Sequence, residues 1–253
     1  MRRLRFALGR AYTRAWHAAD ALLQRGAPRS VRAGRARPRL PAAPVHRRYG
    51  VVVGRPVDRV YIERFLVAHA ADVQGRTLEI LDDVYTRRFG GAAATRRDIL
   101  DLDPANARAT VRGDLVSGEG IPAGAFDCFI CTQTLSLTYD VHAAVATAHG
   151  LLKPGGVLLL TVPGISQQAD PDVEAFPDHW RFTKRSVQRL LREAFGADAE
   201  IAVSAYGTVA ASAAFLYGLP ADEVDPALLD PHDPDYEMVV CARAVRQRVA
   251  TSA

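Results

Sequence analysis

Glu79, Asp101 and Asp114 are three carboxylates at or just beyond the ends of short β-like runs: TLEIL at 77–81, RDILDL at 97–102 and RATVR at 108–112. In an open α/β sheet, ligands bind outside the carboxyl ends of the strands, where strand order reverses. Asp101 stands twenty residues beyond Leu81, and an acid there can hydrogen-bond both ribose hydroxyls of a nucleoside. Asp103 takes that place if the strand runs on. Asp114 can accept an adenine amino hydrogen while the backbone N–H of Leu115 meets a ring nitrogen; for both acids the plain alternative is a turn-forming role. The first turn reads Glu79-Ile80-Leu81-Asp82-Asp83-Val84-Tyr85-Thr86. It is not GxGxxG, and no GxxxxGK[ST] exists to cradle phosphates. Asp82 and Asp83 stand where a pyrophosphate needs backbone donors, so the residues ask for ribose and adenine with little negative charge.

The elements that must carry these residues alternate. A helix over RVYIERFLVAHAADV follows Pro56, with Asp58 expected as its N-cap. Further β-like runs lie at 126–132, 156–162, 199–204 and 236–243, and helix-like runs at 139–150, 183–195 and 208–217. Val157-Leu158-Leu159-Leu160 is apolar on both faces, as a central parallel strand under helices requires. The expected class is α/β: a Rossmann-like doubly wound, mostly parallel seven-stranded sheet with an antiparallel last strand.

The 253 residues are 49% hydrophobic, 24% charged and 8% aromatic, which excludes disordered and collagen-like classes. Of the net charge of +4, residues 1–50 hold thirteen Arg against the single acid Asp20, a net +12, which leaves −8 on residues 51–253. The chain reads as a basic N-terminal helix and Arg/Pro-rich linker over 1–49, followed by one domain over 50–253. An acidic body repels phosphates and makes a nucleic-acid partner unfavourable. The amphipathic stripe of residues 1–24 leaves open a peripheral contact with an anionic membrane; packing on the body or fraying is the alternative. With no apolar run near the ~20 residues a spanning helix needs and no signal-peptide core, the expected localisation is cytoplasmic. Cys128 and Cys131 fall on opposite faces of one strand, which speaks against a shared metal, and no metal site is expected. With Cys241 they read as packed free thiols.

Taken in order, these pieces resemble the class I S-adenosylmethionine-dependent methyltransferases over roughly residues 56–245. The resemblance rests on the strand carrying Glu79, on Asp101, on GDL at 113–115, on IPAGAFDCFICTQTL at 121–135 and on LLKPGGVLLLTVPG at 151–164. YTRRFGG at 85–91, DHWRFT at 178–183 and DPDYE at 233–237 look like a subgroup associated with sugar and cell-envelope biosynthesis. The resemblance implies S-adenosylmethionine as cofactor, with Glu79 serving its ammonium and the loop through Leu81, Asp82, Asp83 and Tyr85 running along its methionine part. Thr132 and Gln133 then lie where methyl group and acceptor meet. Leu81 stands where such families place glycine, a position at which the backbone can need positive φ.

The implied activity is methyl transfer to a small molecule or saccharide, to oxygen. His179 is the candidate base, since an imidazole ordinarily titrates near neutrality; Arg181 is a candidate for an anionic acceptor and Tyr206 for the pocket wall. Two alternatives stand beside it. A nucleic-acid methyltransferase lacks its [DN]PP[FYW] motif, the chain reading TQTL there, and a catalytically weakened domain acting with a partner enzyme is favoured by Leu81.

Overall fold

The computed structural model describes residues 41–169 and 177–248. The expected helix over 1–24 and the linker up to residue 40 lie outside the described residues. Helix α1, Val57–Ala68, buries Val57, Tyr61, Ile62, Phe65 and Leu66. Pro56 occupies its N-cap and no side chain bonds there. Asp58 is therefore not the cap: it is the second helical residue and is buried, with a consequence developed below.

Seven strands follow: β1 (Arg76–Ile80), β2 (Arg96–Asp101), β3 (Val111–Arg112), β4 (Phe126–Thr132), β5 (Leu152–Pro163), β6 (Ile201–Tyr206) and β7 (Val239–Val245). They form one sheet in the order β3-β2-β1-β4-β5-β7-β6. The pairs from β3 to β5 are parallel, and β7 runs antiparallel to both β5 and β6. The chain builds outward from β1 to β3, then crosses to β4 on the other side of β1. That reversal puts the switch point, and hence a crevice, at the carboxyl ends of β1 and β4.

Alternate residues of the central strands feed two cores. Phe129, Cys131, Leu158 and Leu160 pack on one face with α2 (Val141–Leu151) and α3 (Lys184–Phe195). Cys128, Ile130, Val157 and Leu159 pack on the other with α1 and α4 (Val209–Leu216). Cys128 and Cys131 thus face opposite ways, both buried free thiols pushed up by burial. Helix α3 opens on a capping box, in which Thr183 accepts from Ser186 N and returns its own N–H to the Ser186 hydroxyl. β5 starts earlier than the expected turn at Lys153-Pro154-Gly155-Gly156 because Gly155 N donates to Arg246 O at 2.7 Å and Arg246 N to Gly156 O at 2.9 Å. No helix of the described residues is long and apolar enough to cross a membrane.

Candidate functional site

Glu79 is 2% exposed and its carboxylate points at the loop that follows β1. It accepts from Tyr85 N at 3.1 Å and Thr86 N at 2.7 Å, where a π-helical turn over Thr86–Gly90 begins. Burial raises its pKa to about 7, against the backbone N–H groups of Thr86 and Tyr85, which favour the charged form. Asp82 bonds within the loop, accepting from Val84 N at 3.1 Å. Asp83 is buried between Arg87, at 2.6 Å, and Arg108, so its charge is matched by protein cations.

Leu81 adopts φ 69 and is 48% exposed. The backbone takes the conformation that glycine adopts freely, and a non-glycine residue there costs roughly 1–2 kcal/mol. Leu81→Gly removes that strain but adds about 0.5–1 kcal/mol of chain entropy to the unfolded state, so its urea midpoint is expected to rise slightly. Leu81→Val, β-branched, is expected to lose about 1–2 kcal/mol by the same measurement. A reversed order of the two variants contradicts the strain.

At the end of β2, Asp101 accepts from Asp103 N at 2.9 Å and from Asn106 Nδ2 at 2.7 Å. Asn106 Nδ2 also donates to Leu81 O at 3.0 Å, so one amide ties the β1 loop to the β2 acid. Arg112 holds that turn through Asp103 O and Asn106 O. A carboxylate offers about four lone-pair sites, so Asp101 keeps capacity beyond these two bonds. Asp103 accepts from Ala105 N at 2.8 Å and is exposed. Asp114 accepts from Val116 N at 2.7 Å, while Leu115 is buried.

Across the switch point, β4 ends at Thr132. Gln133 turns with φ 52, donating from its backbone to Thr161 O at 2.7 Å and from its side chain to Thr161 Oγ1 at 3.3 Å. Gln133 lines a cavity of about 910 Å³ whose apolar wall includes Pro163, Phe215, Met238 and Val239. Tyr49 reaches in from the N-terminal side, stacked on Phe215 with centroids 5.3 Å apart. Burial and the nearby Asp178 carboxylate push its phenol up. Val45 N and His46 N donate to Tyr217 O, anchoring this segment. The last residues of the stretch read as a linker are therefore wall.

Arg181 and Asp178 also line the cavity, paired through both guanidinium NH groups at 2.6 and 2.7 Å. The bidentate contact expected for an acceptor is made to Asp178 instead. His179 does not line the cavity; it is exposed, edge-on to Tyr139. Nor does Tyr206, which stacks on Tyr61.

Residues 92–160 match the family model described as a methyltransferase domain, about a quarter of the chain, from the β1–β2 connection into β5. An S-adenosylmethionine-dependent methyltransferase from Mesorhizobium loti superposes with a TM-score of 0.51 at 18% identity, over 75% of this chain and 98% of that one. The fold is the methyltransferase fold. A chain from the complex of the Haloferax volcanii Trm112 methyltransferase activator superposes equally well, with a TM-score of 0.51 at 17% identity over 76% and 92% of the two chains. No curated protein matches the chain in sequence.

Within the methyltransferase fold, Asn106 ties Leu81 to Asp101, while Glu79 holds the N–H of Tyr85 and Asp82 bonds within the same loop after β1. Thr132 and Gln133 stand at the end of the adjoining strand β4, and Gln133 is the one of these expected residues that lines the cavity. Sequence reasoning missed Asn106, which reads as an ordinary turn-former, and Arg108, whose partner Asp83 is distant in sequence. It also missed the cavity residues Arg47, Tyr49 and Asp58. Among the described residues, the four non-glycine positions with positive φ are Arg48, Tyr49, Leu81 and Gln133. All four belong to the crevice loop or the cavity wall, and backbone strain held in place this way concentrates at functional sites.

Proposed function

We propose that the chain transfers the methyl group of S-adenosylmethionine to oxygen of a small molecule or saccharide, of the kind met in sugar and cell-envelope biosynthesis. One observation carries the reading: carboxylates stand at the carboxyl ends of β1 and β2 beside the switch point, and Gln133 at the end of β4 lines a partly apolar cavity, in a chain whose residues 92–160 match a methyltransferase domain. The acids fit the cofactor's chemistry, since the sulfonium and ammonium are cations and the nucleoside carries no phosphate. In this reading Asp101 takes the ribose hydroxyls, Asp114 and the Leu115 N–H take adenine, and Glu79 serves the ammonium, with Leu81, Asp82 and Tyr85 along the methionine part. The cofactor supplies an activated methyl carbon; the protein's work is to align Thr132 and Gln133 with the acceptor and to exclude water.

Calorimetric titration of the full chain with S-adenosylhomocysteine tests this, and saturable binding below about 1 mM is expected. Absence of binding at that concentration sinks the enzyme reading. It leaves a methyltransferase-like domain that holds a partner, the reading that the half-exposed Leu81 in the cofactor loop favours.

A further inference from the structure

β6 ends the sheet on the side away from β3, and among the described residues it pairs with β7 alone. Val245 N donates to Glu200 O at 3.0 Å, and Met238 N to Tyr206 O at 2.9 Å. Backbone groups along a strand alternate in direction, so Ala202 and Ser204 also face β7, while Ile201, Val203 and Ala205 turn their N–H and C=O groups to the open edge. Among the described residues, nothing bonds to those groups.

Folded proteins protect such an edge with charge, proline, a bulge or a short strand. The opposite edge follows this rule, since β3 has two residues and one of them is Arg112. β6 does not. Its six residues, IAVSAY, include no charge and no proline, and its register with β7 runs unbroken from Ile201 to Tyr206. Ala202 and Ser204 are exposed and small, whereas Ile201 and Val203 are half-buried and pack on the core that α3 covers.

Helix α3 packs against β6 and β7, and its charges decide what suits the edge. Glu193 turns to α2, where it meets His142 at 3.4 Å. Arg185, Gln188, Arg189 and Arg192 line a surface groove together with Ala197, which lies in the turn into β6. Over 184–206 the sequence sets Lys184, Arg185, Arg189 and Arg192 against Glu193, Asp198 and Glu200. Arg189 pairs with Glu193 at 2.7 Å, and Glu200 pairs with Arg243 of β7. Lys184 is offset by Glu237, which accepts from its backbone N at 2.7 Å. Arg185 and Arg192 are left on the groove without a carboxylate, Arg192 bonding only the Ala197 carbonyl. Asp198 is the one acid of this stretch that stands against them. A strand laid along β6 sets alternate side chains on the α3 side, beside these two arginines.

We propose that the β6 edge takes an extended segment of a partner protein as an added strand, with acidic residues at the alternate positions that face Arg185 and Arg192. Bonds to the backbone of Ile201, Val203 and Ala205 supply the affinity, and the arginines select the partner. A second copy is the poorer occupant. Pairing of β6 with itself about a two-fold axis sets both α3 helices on one face of the joined sheet, with Arg185 and Arg192 near their own counterparts. The proposal is independent of the methyl-transfer reading, because none of these residues lines the cavity or belongs to the loops after β1 and β2.

The test uses the full chain and ligand-observed NMR at physiological ionic strength, with three capped heptapeptides. Thr-Glu-Val-Glu-Val-Glu-Thr is the acidic strand, and its counterpart with Lys for Glu reverses the charge. The third, the acidic peptide N-methylated throughout, keeps the charge and has no N–H to give. Arginines of residues 1–50 attract both acidic peptides alike, so the difference between those two reads strand pairing. The unmodified acidic peptide is expected to bind with a Kd below about 1 mM, at least about tenfold tighter than either of the others. Arg185→Glu, at an exposed position, is expected to weaken it about fivefold or more and to narrow its lead over the Lys peptide.

The proposal is overturned if the acidic peptide does not bind at that concentration, if it binds no better than its N-methylated form, or if Arg185→Glu leaves its affinity unchanged. Sedimentation velocity adds one more outcome: dimers of the chain that the acidic peptide dissociates assign the edge to a second copy, and overturn it too.

Discussion

Asp101→Ala is expected to lower S-adenosylhomocysteine affinity at least about 30-fold, the equivalent of roughly 2 kcal/mol. Hydrogen bonds to a charged acceptor each contribute about 1.5–3 kcal/mol, and the reading assigns Asp101 two of them, to the ribose hydroxyls. The substitution also removes the acceptor of Asn106 Nδ2. Asn106 then holds Leu81 O alone, and of the ties between the β1 loop and β2 only the backbone bond from Leu81 N to Leu100 O at 3.0 Å remains. Asn106→Ala is expected to show that second effect by itself, a loss of a few-fold in affinity with the ribose ligand intact. Asp103→Ala is the control, because Asp103 is exposed and its carboxylate accepts only from Ala105 N within its own turn. Calorimetry on the three variants separates the contributions. Unchanged affinity in Asp101→Ala, with a loss in Asp103→Ala, moves the ribose ligand to the other acid of the same turn.

The sheet was legible because its signals are local and periodic. The run FDCFICT matches β4, Phe126–Thr132, residue for residue, since both of its faces are buried and turn residues bound it. The antiparallel β7 follows from its place after α4 and a loop at the end of the chain. By contrast, RATVR shrank to the two residues Val111–Arg112. Thr110 there donates its hydroxyl to Asp98 and accepts from Ile99 N, so its side chain takes the Ile99 N–H that a ladder would give to a backbone carbonyl, while Thr110 N still donates to Ile99 O. Asp58 shows the limit of position rules: an acid near a helix start reads as a cap, yet the chain enters α1 two residues too early for it to be one.

At the site, acids at strand ends were legible and their partners were not. Leu81 was visible as a leucine where glycine belongs, and the structure supplies the missing half, a φ of 69. Asn106, Arg108 and Asp83 meet only after β1 and β2 pair in register. The same holds more strongly for the cavity. Arg47 and Tyr49 come from a stretch whose Pro and Arg content carries no periodicity, and the long-range bonds of Val45 and His46 to Tyr217 and of Ala221 to Arg55 hold that stretch against Phe215. The last arginines of the +12 stretch, Arg47 and Arg48, stand on the cavity wall, which charge counting alone does not reveal.

Glu79 carries the largest expected pH effect. Its pKa rises from 4.5 to about 7 on folding, chiefly through burial. At about 1.4 kcal/mol per pK unit, the shift is worth roughly 3 kcal/mol. The sign follows from proton counts. Between these two values the native state holds more protons than the unfolded chain, so stability is full below pH 4.5, falls as pH rises towards about 7 and is flat above. Asp58, also raised by burial, acts in the same direction, whereas His69 and His149, lowered by burial, act against it. The difference between wild type and Glu79→Gln isolates the Glu79 part. The amide resembles the protonated acid, so urea denaturation is expected to show the two proteins alike at pH 5 and the variant more stable at pH 8, by up to about 3 kcal/mol. Cofactor affinity is expected to run the other way. A cation in the crevice draws the carboxylate into its charged form, so S-adenosylhomocysteine, through its ammonium, binds wild type more weakly as pH falls below about 7, and Glu79→Gln loses both affinity and this pH dependence. Equal pH profiles of stability in the two proteins would show that Glu79 folds already ionised, held by the Tyr85 and Thr86 N–H groups. Opposed profiles show a residue retained at the expense of stability for the charge it offers a ligand.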